Sequence, residues 1–119
     1  FQNRIDTVFK WLNYTIERRP RFCTLYFEET DDTGHWRGPD SYEIFKSINK
    51  MDSILGYIQQ KIRNSNLADS INLIVLSDHG MTGVSIEKSI NIEEYIQGFN
   101  AGITGDGPVM LIDVPEEKK

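Results

Sequence analysis

Cysteine is nearly absent: Cys23 is the single one among 119 residues, so no disulfide can close within the chain and the count does not settle the redox compartment. No apolar run approaches the roughly 20 residues that a membrane span needs. Positive charge is also short, with 13 Lys and Arg against 18 Asp and Glu and a net charge of −5. That balance argues against nucleic acid as a partner, because such binding draws its affinity from Lys and Arg neutralising phosphates. The one basic cluster, Arg18-Arg19-Pro20-Arg21, reads as a solvated connection from helix to strand. An acidic chain can still hydrolyse phosphate esters where a metal supplies the positive charge. The chain opens on Phe1 without an initiator Met, a signal peptide or a lipidation motif, which reads as a processed product or a piece of something longer.

Histidine is scarcer than any of these trends requires, and both copies stand in acidic company. One lies in Asp31-Asp32-Thr33-Gly34-His35 and the other in Ser77-Asp78-His79-Gly80-Met81. Carboxylate oxygen and imidazole nitrogen are the donors a zinc site accepts, and two such ions about 4 Å apart can clamp the attacking and leaving oxygens of a phosphoryl displacement. A catalytic zinc needs three protein ligands and an open position. Each cluster supplies two, so further ligands must come from elsewhere or not at all.

The length suits one modest domain, with a core covering roughly two-thirds of the surface its unfolded chain exposes, so residues 1–119 read as a single domain or part of one. Ile5, Val8, Phe9, Leu12 and Ile16 recur at spacings of three and four and predict an amphipathic helix that stops before Pro20. Residues 22–27 form a short aromatic-rich apolar run and read as a buried strand, with Cys23 a buried structural thiol. Gly34 and Gly38-Pro39 break the backbone. Ile44, Ile48, Met51, Leu55, Ile58 and Ile62 then predict a helix of about 20 residues. A polar turn over 64–70 leads into a second apolar run, 71–76. Strand, crossover helix and strand imply an α/β fold with a parallel-sheet core and flanking helices, in which ligands gather at the carboxyl edge. Further on, residues 89–99 read as a short helix, 98–107 as a glycine-rich loop, 109–112 as a third strand and 116–119 as a frayed end.

Both clusters fall at that edge. Asp31 and His35 are expected to be swung together by a tight turn at Gly34, and Asp78 and His79 by a turn that Gly80 permits. Taken alone, Asp31 and His35 read as a capping Asp with a surface His, and Asp78-His79-Gly80 is short enough to arise by chance; their shared placement is what favours metal. Glu28, Glu29, Asp32 and Asp40 read as solvated acids, with orientation of the imidazoles the alternative. Asn13-Tyr14-Thr15 is a glycosylation sequon, relevant if the protein is secreted.

The string Tyr26-Phe27-Glu28-Glu29-Thr30-Asp31-Asp32-Thr33-Gly34-His35, then Gly38-Pro39, a long helix, and Asn72-Leu73-Ile74-Val75-Leu76-Ser77-Asp78-His79-Gly80-Met81 resembles the ecto-nucleotide pyrophosphatase/phosphodiesterase family of the alkaline phosphatase superfamily. The resemblance runs from about residue 19 to 115 and includes Gly107-Pro108; Thr30 stands where the family usually has proline. It implies that Asp31 and His35 bind one Zn²⁺, that Asp78 and His79 bind a second, and that Tyr26 lines the substrate pocket. The family's nucleophile, a threonine on a segment before the first motif, a further aspartate ligand and a later histidine ligand have no counterpart here, so the chain resembles the middle of a catalytic domain and is expected to be inactive alone. The implied activity is hydrolysis of extracellular nucleotide phosphodiester or pyrophosphate bonds, with the rest of the catalytic domain as partner and an extracellular, secreted or membrane-anchored location. The alternatives are a choline-lipid phosphodiesterase of the same family and a noncatalytic binding or assembly fragment.

Overall fold

Helix α1, Gln2–Leu12, is set by the spacing of Ile5, Val8 and Phe9, the three side chains it buries, with Lys10 in its last turn where the macrodipole favours a cation. The structure is a computed structural model and describes residues 1–98, 101–105 and 109–114. The Gly107-Pro108 pair, the tail 116–119 and parts of the glycine-rich stretch lie outside the described residues. α1 ends earlier than its apolar pattern predicts. Asn13 closes it, its backbone N–H and its side-chain Nδ2 both donating to the Phe9 carbonyl, and Ile16 beyond it is exposed.

The described residues fall into two compact units, Phe1–Gly83 and Val84–Lys119. In the first, α2 (Glu29–Arg37) and α3 (Tyr42–Arg63) follow α1. Gly38 joins α2 to α3 at φ 90°, ψ 151°, a region essentially restricted to glycine, and its N–H caps the Gly34 carbonyl at 2.8 Å. Ser41 then caps α3, its Oγ accepting from the Ile44 N–H at 3.1 Å. The 22 residues of α3 match the helix predicted from the Ile44–Ile62 periodicity. Its face carries the core: Ile58 packs with Ile5 and Phe9, and Leu12, Leu25, Phe27, Ile54, Tyr57 and Ile62 close around them. Across α1 and α3, Asp6 accepts from the Tyr57 hydroxyl at 2.7 Å and pairs with Lys61 at 2.6 Å.

The two apolar runs differ from expectation. Neither 22–27 nor 71–76 belongs to a sheet among the described residues. Only Leu25 and Phe27 of the first run reach the core, while Phe22 is 84% exposed, Ile74 78% and Leu76 79%. Cys23, expected to be buried, is exposed. A continuous apolar run satisfies its backbone and both faces only between neighbouring strands with helices above and below; among the described residues the first run has one face covered and the second neither. Thus the parallel core predicted from the sequence is not seen among them.

The second unit holds a short helix, α4 (Ile92–Tyr95), capped by the Asn91 side chain accepting from the Glu93 N–H at 3.2 Å. Strands β1 (Gly102–Thr104) and β2 (Leu111–Asp113) pair antiparallel, Ile103 opposite Ile112. The strand predicted over 109–112 is therefore shifted by one or two residues, and its partner comes from the glycine-rich stretch read as loop. Among the described residues no helix is long and apolar enough to cross a membrane.

Candidate functional site

Asp31 and His35 sit on helix α2 rather than on a turn. Four residues apart, they share one face, and His35 Nε2 lies 3.4 Å from Asp31 Oδ1. Gly34 does not bend the chain between them. It is buried inside the helix, and a Cβ built there would stand 2.3 Å from Met81 Sδ, so the missing side chain lets the second motif press against the first.

The second motif leaves the exposed run at Leu76 and is held mainly by itself. The Ser77 hydroxyl donates to the His79 carbonyl, and His79 Nδ1 lies 3.0 Å from the Gly80 carbonyl, an arrangement in which Nδ1–H donates and the Nε2 lone pair faces inward. Gly80 has no positive φ and open space where a Cβ would go, so the turn does not depend on it. His79 Nε2 stands 3.7 Å from Asp31 Oδ1 and 3.9 Å from Asp78 Oδ1. The Gly80 carbonyl, then Asp78 and Asp31, hold the His79 pKa above the usual imidazole value against the effect of burial. A field that favours a proton there favours a divalent cation too.

Tyr26 completes the cluster. The charge of Asp78, then desolvation and the charge of Asp31, push its pKa up, so it remains a neutral phenol beside the carboxylates. On the other side of the run, Arg4 Nη1 donates to the Tyr26 carbonyl at 3.0 Å and Nη2 to Glu28 Oε1 at 3.3 Å. Lys50 pairs with Glu29. These two glutamates, candidates for orienting the imidazoles, are engaged by cations from α1 and α3 instead. Arg4 lies on the polar face of α1, where no sequence pattern marks it.

The structure thus brings together Asp31, His35, Asp78, His79 and Tyr26. Asp31 Oδ1 is buried without a hydrogen-bond partner, although two imidazole nitrogens approach it. At 3.4 and 3.7 Å both are too far for good hydrogen bonds, whose N···O distances run about 2.7–3.2 Å. Two ligands at about 2.0–2.1 Å from a tetrahedral zinc stand about 3.3–3.4 Å apart, close to the Asp31–His35 separation. The Asp31–His35 pair therefore fits zinc, while Asp78 and His79, 3.9 Å apart, offer the right donors at a wider spacing; among the described residues no group of three or more His, Cys, Asp or Glu is placed to hold one ion as a set. A shallow groove of about 380 Å³ between α2 and α3, lined by Asp32, Trp36, Arg37 and Lys46 among others, contains none of the five. Asn13 of the sequon is exposed.

The sequence profile of the family described as type I phosphodiesterase / nucleotide pyrophosphatase matches residues 1–119. The chain is 37% identical over 119 residues to ectonucleotide pyrophosphatase/phosphodiesterase family member 1 of Mus musculus, covering 98% of this chain and 13% of that protein. Against the Homo sapiens protein of the same name the identity is 40% over 96 residues, 81% of this chain and 10% of that one. Venom phosphodiesterase 2 of Crotalus adamanteus is 43% identical over 100 residues, 84% of this chain and 12% of its own length. The chain spans about an eighth of the length of these curated relatives.

Proposed function

The chain belongs to the type I phosphodiesterase / nucleotide pyrophosphatase family, and from that premise we propose that it carries part of the active site of a two-zinc enzyme that hydrolyses phosphodiester or pyrophosphate bonds of extracellular nucleotides. The family implies an alkaline-phosphatase-like fold. In the assembled catalytic domain, runs 22–27 and 71–76 would be strands of its parallel core, which accounts for the apolar side chains left bare on one face of the first run and on both faces of the second. The observation that carries the reading is Asp31 Oδ1, buried, unpartnered and approached by the Nε2 atoms of both His35 and His79.

Asp31 and His35 would hold one zinc and Asp78 and His79 the other. When bound, zinc supplies Lewis-acid polarisation of a phosphoryl oxygen and a lowered pKa for a bound hydroxyl or water. The protein's own contribution is orientation. The Nδ1–H···O contact to Gly80 keeps the His79 Nε2 lone pair inward, and the Tyr26 ring would line the substrate pocket beside Asp78. The nucleophile and the remaining ligands would come from other segments of the catalytic domain, so this chain alone would be inactive. The names of the relatives favour nucleotides over choline lipids, and with Asn13 as a glycosylation site they favour an extracellular location.

The test is hydrolysis of a nucleotide phosphodiester bearing a chromogenic leaving group by the catalytic domain assembled from this chain and the segments that supply the nucleophile and the remaining ligands. Activity should vanish with a chelator, return with Zn²⁺ and fall at least about 100-fold in Asp78→Ala, since losing even a group that only orients a metal ligand costs about 10–100-fold. Chelator-insensitive hydrolysis, or an Asp78→Ala variant as active as the parent, would overturn the reading.

A further inference from the structure

Arg4 touches none of the five site residues through their side chains, yet one guanidinium joins the supports of both metal pairs. Nη1 donates to the Tyr26 carbonyl at 3.0 Å and Nη2 to Glu28 Oε1 at 3.3 Å. Tyr26 is the residue whose phenol lies in the field of Asp78. Glu28 is the N-cap position of α2, three residues before Asp31. Because side chains alternate along an extended run, holding the backbone at Tyr26 with Leu25 and Phe27 on the core decides that the phenol points the opposite way. The guanidinium is itself held, 5.5 Å from the centroid of the Phe1 ring and 6.0 Å from that of Phe27, with the two rings edge to face at 5.4 Å. Lys50, which pairs with Glu29, also lies over Phe1, at 4.9 Å. The first turn of α2 is therefore gripped by cations from two helices that share one aromatic ring.

We propose that Arg4 is a positioning residue for the metal site, setting Tyr26 against Asp78 and the start of α2 so that Asp31 faces His79. The inference rests on the two-zinc reading above. A stabilising role explains the arrangement poorly: the Arg4 and Glu28 side chains are 50% and 46% exposed, and ion pairs so exposed contribute little to stability. What the fork geometry of arginine adds over lysine is two directed hydrogen bonds from one rigid group, which is a device for registering one backbone segment against another.

The test compares Arg4→Gln, Arg4→Lys and Glu28→Gln in the assembled catalytic domain that contains this chain, reading Zn²⁺ affinity by competition with a chromogenic chelator and melting of the metal-free protein. Arg4→Gln should lose about tenfold or more in Zn²⁺ affinity, within the range for groups that orient metal ligands, while the metal-free melt stays near that of the parent. Arg4→Lys, keeping charge and ring contact but only one donor direction, should recover part of the loss, and Glu28→Gln should show a smaller loss of the same kind. Unchanged affinity in all three while the parent binds zinc would overturn this inference alone. Melting temperatures that fall in step with affinity would also overturn it, because the residue would then be merely structural. If Arg4→Gln does not fold, Arg4→Lys and Glu28→Gln decide by the same criteria. An assembled parent domain that takes up no zinc overturns the two-zinc reading and this inference together.

Discussion

Asp31 is the residue on which the site turns, since its Oδ1 is approached by imidazoles from both motifs and is left without a hydrogen bond. Asp31→Ala should therefore weaken Zn²⁺ binding more than Asp32→Ala one position away, whose side chain is exposed; equal losses in chelator competition would contradict this. Gly34 makes a different kind of prediction. A methyl group there meets only the flexible end of Met81, and alanine gains up to about 1 kcal/mol over glycine in a helix interior. Gly34→Ala should thus change stability by no more than about 1 kcal/mol in denaturant titration while lowering activity, because Met81 is displaced two residues from His79. A loss of several kcal/mol would show that Met81 cannot yield.

At the level of elements, α1 and α3 are joined by the core and by Asp6, Tyr57 and Lys61. Hydrogen bonds from Lys61 and Tyr57 lower the Asp6 pKa below 3.8, and Asp6 raises that of Lys61 above 10.5. The contribution of Asp6 is then fully present above its unfolded value and fades as pH falls through the lower folded one. That of Lys61 is present below its unfolded value and fades as pH rises through the higher folded one. The melting difference between the parent and Asp6→Asn should be flat near neutrality and shrink below about pH 4; a difference that grows with acid would contradict the assignment. Gly38 carries the α2–α3 turn at φ 90°, ψ 151°, so Gly38→Ala should cost about 1–3 kcal/mol in unfolding free energy.

Helix α3 was legible from the sequence because its apolar period repeats for 22 residues and Ser41 and Gly38 mark its start. The end of α1 was not, because Asn13 diverts to the Phe9 carbonyl while the apolar pattern runs on to Ile16. The runs 22–27 and 71–76 advertise a demand for burial, and a pattern of side chains cannot state which strands meet it. Antiparallel β1 and β2 escaped notice because three-residue strands in glycine-rich chain carry almost no periodic signal.

For the whole molecule, the chemistry of the site was easier to read than its mechanics. Two histidines, each with an aspartate, marked the donors proposed for metal, and the structure draws these four side chains into one cluster. Nothing in the sequence distinguished a turn at Gly34 from a helix that needs glycine for close packing, nor singled out Arg4. The central claim is that the two motifs face each other across metal. Anomalous diffraction at the zinc edge from crystals of the assembled catalytic domain that contains this chain tests it most directly. Two peaks are predicted, one beside Asp31 and His35 and the other beside Asp78 and His79; a zinc-soaked crystal with no peak at these four side chains would contradict it.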